Sequence, residues 1–325
     1  MSTNLTSEQI HFIDEPSSNI FLKACPGAGK TKVIVNRFIK RATELSQDFN
    51  RKSIAALSFT NVAVNEITTR CNNEKVPHLI EYPNYVGTFD GFLIRYIFRQ
   101  LFFSPLERPL TILESWDSIN AQVVGGRAGV IPLSHFDFSG DQIRINRGGA
   151  KSLHVFNQNT AYWQKLADGT RRALIQNSIF SASEVRGIIF KKKKKYLSSI
   201  FLSLSSRFSE IIVDEVQDCN SQDLLILGRL RECGVNIVMV GDLDQSIYSF
   251  RGVDLAKIRN FVSTHKNLRL TNNFRCSQNI CNFSASLKPD NSIDKSESEF
   301  KDEKIPVFIY TYLGKPKKII SDVFF

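Results

Sequence analysis

The chain has 325 residues, 42% of them hydrophobic, and a formal net charge of +10, which is enough apolar material for one large core or two smaller ones and excludes a low-complexity protein. No apolar run reaches the roughly 18 to 20 residues needed to span a bilayer, and the stretch from Met1 to Glu8 lacks the basic and apolar regions of a signal peptide, so a cytoplasmic protein without a membrane partner is expected. Six cysteines (25, 71, 219, 233, 276 and 281) form no Cys-x-x-Cys pair and no metal-ligand spacing with the five histidines, so free thiols are expected rather than disulfides or a zinc cage.

In chain order, the first apolar run of strand character is Asn19 to Ala24. It leads into Ala-Cys-Pro-Gly-Ala-Gly-Lys-Thr at 24 to 31 and a helical pattern from Lys32. A glycine-rich loop between strand and helix surrounds phosphate oxygens with backbone N–H groups. On this reading Pro26, Gly27, Ala28 and Gly29 shape the loop. Lys30 supplies charge toward the β and γ phosphates of a nucleotide, and the Thr31 hydroxyl ligates Mg²⁺. Ala24 departs from the general pattern, which has its first glycine there. The competing reading is a plain strand-to-helix turn, which the Gly-x-Gly-Lys-Thr run disfavours.

A second apolar run, Ser53 to Phe59, is again followed by a helical pattern. The span from 97 to 190 differs in character: it carries Gly125-Gly126, Gly148-Gly149 and an alternating stretch from Phe136 to Asn146 that predicts a hairpin with a Ser-Gly-Asp turn. It reads as an inserted subdomain. Between residues 96 and 200 there are 15 Lys and Arg against 7 Asp and Glu, a surplus that suits a polyanion such as nucleic acid or, equally, a solvated face. The same alternatives apply to the run Lys191 to Lys195.

Two more apolar runs, 210 to 213 and 236 to 240, each end in polar chemistry. After the first come Asp214, placed to hold Mg²⁺, and Glu215, placed to orient or deprotonate an attacking water. The second opens onto Val240 to Gly252, at the strand end where open α/β sheets bind ligands. Helical patterns follow the first two runs and separate the last two, so the fold class is α/β with a mainly parallel sheet covered on both faces. Beyond residue 270 the reading is a short helical pattern, a polar run from Lys288 to Lys304 and a strand from Pro306 to Leu313.

Six motifs in order resemble those of the UvrD/Rep/PcrA group of superfamily 1 helicases over about residues 5 to 285. Leu5 to Gln9 is similar to the family's Q motif, Ser58 to Ile67 to motif Ia, and Val86 to Asp90 to motif Ib. Val213 to Asp218 is similar to motif II, the cluster at 240 to 252 to motif III, and Leu270 to Ser277 to motif IV. The resemblance implies a RecA-like P-loop NTPase that uses ATP and Mg²⁺ and moves along single-stranded DNA in the 3′ to 5′ direction. Gln9 then reads the adenine edge, although Thr6-x-x-Gln9 is also a helix capping box. Phe274, where the family usually has Tyr, stacks on the base, and Arg275 reaches the γ-phosphate.

On the polymer side the resemblance assigns Phe59, Asn61, Thr88 and Phe89 to single-stranded DNA, with core packing as the alternative for Phe59. Gln245 couples the γ-phosphate to Tyr248, Phe250 and Arg251 at the DNA. Asp90 stands where a histidine is common, which puts that contact in doubt. The implied layout is a RecA-like ATP-binding domain 1A from 1–96 and 191–270, a basic 1B-like subdomain at 97–190, and the beginning of a 2A-like domain at 271–325.

Motifs V and VI, with their catalytic arginine, are not found after residue 285. Thr170-Arg-Arg-Ala173 has part of the motif VI pattern but precedes motif II. A shortened or partial helicase is therefore expected, acting on single strands or on single-strand/duplex junctions, with a partner protein or nuclease supplying missing parts. The alternative is a nucleotide-controlled DNA-binding sensor subunit that does not unwind.

Overall fold

All four apolar runs form strands, and two more strands flank them in one six-stranded sheet. The computed structural model describes residues 5–16, 19–47, 52–101, 109–126, 129–138, 143–145, 160–191, 194–245, 253–288 and 291–303. The strands are β1 (Ile20–Ala24), β2 (Ser53–Ser58), β3 (Tyr85–Thr88), β4 (Phe208–Val213), β5 (Asn236–Gly241) and β6 (Lys266–Leu270). Their order is β6-β1-β5-β4-β2-β3, and every pairing is parallel. The register sets Lys23 opposite Gly241 and Val213 opposite both Met239 and Leu57, so the C-terminal strand ends line one edge.

Side chains alternate across a strand, and here both alternating sets are apolar, as expected of a sheet buried on both faces. Ile20, Leu22, Ile54, Ala56, Ile212, Val238 and Val240 share one core with Phe12, Val33, Ile34 and Phe38. That face is covered by helices α1 (Ser7–Asp14), α2 (Lys30–Gln47) and α3 (Asn61–Asn73). Their neighbours Phe21, Ala55, Leu57, Ile211, Val213, Ile237 and Met239 join the opposite core with Ile226, Leu230, Ile258 and Phe89. Helices α4 (Ser221–Glu232) and α5 (Leu255–Val262) belong to this second layer.

The flanking strands β3 and β6 are absent from the sequence reading for a physical reason. Each sits at a sheet edge, and β6 carries Lys266, Asn267 and Arg269 with only Leu270 buried.

At the N-terminal end of the sheet, Arg37 of α2 is 0% exposed and Glu210 of β4 is 2% exposed. The guanidinium makes a two-pronged pair with the carboxylate, both prongs at 2.8 Å, and its Nη1 donates to the carbonyls of Phe12 and Glu15. It also lies over the Phe12 ring. A buried charge is tolerable when paired and fully hydrogen-bonded in this way.

The span from 97 to 190 has a core of its own, built from Trp116, Val123, Ile131, Leu133, Phe136, Phe138, Trp163 and Ala167. The expected hairpin is present as an antiparallel pair of Phe136–Asp137 with Arg144–Ile145, and its turn lies outside the described residues. A second antiparallel pair, Gln122–Val124 with Val130–Pro132, and a helix, Thr160–Gln176, complete this unit. Phe180, Val185 and Ile189 pack instead into the core of the central sheet.

The polar run after Lys288 is not a bare linker. Lys295–Ser296 pairs with Asn272–Asn273, and Asp294, Ser296 and Ser298 are buried; Lys288 meets Asp294 at 2.6 Å. The strand expected at 306 to 313 lies outside the described residues, as do Gly148 and Gly149. All six cysteines are free thiols. Among the described residues no helix is long and apolar enough to cross a membrane.

Candidate functional site

β1 ends at Ala24, and the next five residues turn back on themselves before α2 begins at Lys30. Ala28 N–H donates to the Cys25 carbonyl at 3.1 Å, and Gly27 and Gly29 take left-handed φ values of +74° and +81°. A side chain at Gly27 would lie 2.6 Å from Cβ of Arg275, so the position requires glycine both conformationally and spatially. Pro26, Ala28 and Thr31 sit in this loop and the first turn of α2, whose free N–H groups favour an anion. Ala28 is 1% exposed.

Across the edge, β4 delivers Asp214 and Glu215. Asp214 is buried; its backbone N–H donates to the Leu57 carbonyl at 2.8 Å, and its Oδ1 accepts from the Glu215 N–H at 2.9 Å. Burial, then the neighbouring Glu215, pushes the Asp214 carboxyl up to about 7 against the pull of Lys30. Glu215 has left-handed backbone angles (φ 52°, ψ 52°), which costs a non-glycine residue roughly 1 to 3 kcal/mol. That turn brings its Oε2 within 3.4 Å of Lys30 Nζ.

Gln217 links this pair to β5. Its Nε2 donates to Glu215 Oε2, and its Oε1 accepts the Asp242 N–H at 3.1 Å. Gly241 leaves room for it, because a Cβ there would collide with Gln217 Oε1. Asp242 is 3% exposed, and its two oxygens accept from Gln245 Nε2 at 2.6 Å and from the Asp244 N–H at 3.1 Å. Asp244 in turn meets Lys23 at 2.8 Å. An unbroken chain of contacts thus runs from Lys30 through Glu215, Gln217 and Asp242 to Gln245. Tyr248, Phe250 and Arg251 lie outside the described residues.

The segment after β6 closes over the loop. Phe274 N–H donates to the Gly27 carbonyl at 3.0 Å, and Asn273 Oδ1 accepts from the N–H groups of Arg275 and Cys276. Phe274 is 43% exposed and Arg275 is exposed, both beside the loop.

Gln9, expected to read the adenine edge, forms the competing capping box. Its Oε1 accepts from the Thr6 N–H at 3.1 Å while its Nε2 donates to the Ala28 carbonyl at 3.1 Å. With the residue 3% exposed, both ends of the amide serve to hold the phosphate loop on α1 rather than offering a free edge to adenine.

Phe89 is a second correction. It is 1% exposed, so its ring has no face open to a base; it packs in the core and stacks in parallel on half-buried Phe59, with centroids 5.4 Å apart and planes 12° apart. Thr88 accepts the Gly91 N–H through its hydroxyl and caps the short helix Phe89–Phe92. Asn61, the first residue of α3, is exposed. Asp90 is bound to Arg186 at 2.6 Å. Of the lysine run, Lys191 ends the helix Val185–Lys191, and the side chains from 192 to 195 lie outside the described residues. Arg171, which resembles a motif VI arginine, is held by Glu184 at 2.5 Å and lies over the Phe138 ring.

The residues that sequence reasoning missed are Gln217, Arg186, Asn273 and Glu8, whose carboxylate accepts from the backbone and hydroxyl of Thr271 at 2.8 Å each. Gln217, Asn273 and Glu8 each lie inside a stretch that resembles a family motif, whereas Arg186 had no signal.

A parallel sheet with a glycine-rich loop, an acidic strand end and a Gln-bearing strand end along one edge defines a RecA-like α/β domain. The model of the family described as "UvrD/REP helicase N-terminal domain" matches residues 5–267, and the chain belongs to that family. It is 25% identical over 310 residues to the "ATP-dependent DNA helicase PcrA" of Staphylococcus epidermidis, covering 89% of this chain and 40% of that protein. It is also 25% identical over 300 residues to "DNA helicase II" of Escherichia coli and 26% identical over 301 residues to that of Salmonella typhimurium, covering 89% of this chain and 41% of each relative. The chain therefore spans about two fifths of the length of these relatives.

Proposed function

We propose that this chain is the ATP-binding and DNA-gripping part of an ATP-dependent DNA helicase or translocase that tracks 3′ to 5′ on single-stranded DNA. The observation that carries this reading is the polar chain that runs from Lys30, in the loop suited to phosphate, to Gln245 at the start of the motif III stretch assigned to coupling.

In this reading Pro26 to Thr31 cradle the phosphates of ATP, Lys30 neutralises the β and γ oxygens, and Glu215 orients the attacking water. Thr31 and Asp214 would hold Mg²⁺, which when bound supplies Lewis-acid charge to the phosphates. The buried Asp214, whose carboxyl is pushed up to about 7 by burial and then by Glu215, fits such a cation. Phe274 stacks on the base, and Arg275 faces the phosphates from the far side of Gly27. Loss of the γ-phosphate frees Lys30 to pull on Glu215, and Gln217 and Asp242 carry that displacement to Gln245. Phe59, Asn61 and Thr88, with Tyr248, Phe250 and Arg251, contact single-stranded DNA. Residues 1–96 and 191–270 form the nucleotide-binding domain, 97–190 the inserted basic subdomain, and 271–325 the start of the second jaw.

Steady-state ATPase with and without oligo-dT tests the reading. Stimulation by oligo-dT that disappears in Lys30→Ala supports it, and unwinding of a duplex with a 3′ tail but not a 5′ tail supports the direction. ATP turnover indifferent to DNA overturns it, and ATP-dependent DNA retention without turnover points to a sensor subunit instead.

A further inference from the structure

Arg186 lies in the helix Val185–Lys191, at the root of the inserted segment, and no motif includes it. Its Nε meets Asp223 Oδ1 at 2.6 Å and its Nη1 meets Asp90 Oδ1 at 2.6 Å. The guanidinium also stands over the Phe89 ring, 5.9 Å from its centroid. Its side chain is 14% exposed, that of Asp223 1%, and that of Asp90 54%.

Each partner belongs to a different functional strand end. Asp90 follows Thr88 and Phe89, and Phe89 backs the Phe59 ring. Asp223 sits in the first turn of α4, where its carboxylate accepts the Asn220 N–H at 3.1 Å while Asn220 Oδ1 accepts the N–H groups of Gln222 and Asp223. This capped end begins two residues after the Val216–Asp218 turn that carries Gln217. A forked, planar cation is the one side chain that can serve two carboxylates and a ring face at once.

We infer that Arg186 is a positioning residue for single-stranded DNA: it fixes the Phe89 platform behind Phe59 and anchors it to the helix leaving the nucleotide site. This rests on the assignment of Phe59 to DNA proposed above. It also gives Asp90 a role other than a DNA contact, as the exposed arm of the clamp. Desolvation of Arg186 is offset by Asp223 and then Asp90, which keeps it a cation.

The test measures oligo-dT binding by fluorescence anisotropy at fixed low salt, and fluorescent ATP-analogue binding without DNA. Arg186→Lys keeps the charge but loses the fork, and is expected to raise the oligo-dT Kd about tenfold while nucleotide affinity stays within about twofold of the wild type. Asp90→Asn changes an exposed residue and should shift the oligo-dT Kd the same way by about threefold. In a Phe59→Ala background, Arg186→Lys should add nothing further, which a merely structural role would not produce. Wild-type oligo-dT affinity in both single variants, or full additivity with Phe59→Ala, overturns the inference while leaving the DNA reading intact. Failure of the wild type itself to bind oligo-dT overturns both.

Discussion

The two ends of the central sheet handle charge in opposite ways. At the N-terminal end, Arg37 and Glu210 are buried together, with both guanidinium prongs on the carboxylate and two backbone carbonyls completing the set. At the C-terminal end, Lys30, Asp214, Glu215 and Asp242 crowd one edge with strained backbone at Glu215 and a carboxyl pushed up to about 7 at Asp214. A closed network stabilises one geometry, whereas an open one keeps charge available for a ligand. The same parallel sheet supports both because parallel strands expose N–H groups at one end, carbonyls at the other, and helix N-termini at only one of them.

Substitutions rank the two ends. Arg37→Ala leaves the buried Glu210 carboxylate with the long Arg41 contact at 3.7 Å and should lower unfolding free energy by about 3 to 5 kcal/mol in urea titrations, while Arg37→Met with Glu210→Leu should cost much less. Lys30→Ala should instead leave the urea midpoint near wild type and cut ATP turnover by roughly 10²- to 10³-fold, the scale for removing one preorganised charge contact. An unfolding penalty at Lys30 as large as that at Arg37 would erase the contrast. Gly27→Ala adds left-handed strain and a clash with Arg275, so a loss of about 1 to 3 kcal/mol is expected, read as weaker nucleotide binding together with a lower melting temperature.

Titration adds a subtler difference. His265, just before β6, has its imidazole pushed down to about 4 by burial and then by Arg231. Above its ordinary value of 6.5 both folded and unfolded chains hold it neutral. As pH falls from 6.5 toward 4 the unfolded chain takes the proton first, so stability should decline across that window and the contribution should level off below it. His265→Asn should flatten this part of the pH profile of the urea midpoint. The smallest effect is expected at Arg229 and Glu232, an ion pair in which the side chains are 57% and 62% exposed, where Arg229→Ala should change stability by at most about 0.5 kcal/mol.

Much of the nucleotide end is local in sequence and therefore legible there. The phosphate loop is contiguous, and continuous apolar runs mark β1, β2, β4 and β5 because both faces of the sheet are apolar. What escaped is what depends on distant partners. Glu210 is separated from Arg37 by 173 residues, and nothing in a strand reading Glu-Ile-Ile-Val announces a buried arginine. Arg186 looks like one more basic residue in a basic segment until Asp90 and Asp223 are brought to it. Phe89 is assigned to bases through the resemblance of its motif, yet the turn after β3 sends it inward. The edge strand β6 escaped because one-sided burial leaves it polar, and β3 because it is only four residues long and mostly half-buried.

Gly241 carries a consequence of a different sort. Its backbone is not left-handed, so nothing about chain conformation demands glycine; the neighbouring turn does, because Gln217 Oε1 and the side chain and backbone N of Val216 occupy the place of a side chain. Alanine there would be tolerated by the strand and rejected by the neighbour. A missing methyl group thus acts as a socket: filling it would push the Val216–Gln217 turn away from Asp242 and break the contact between the β4 and β5 strand ends.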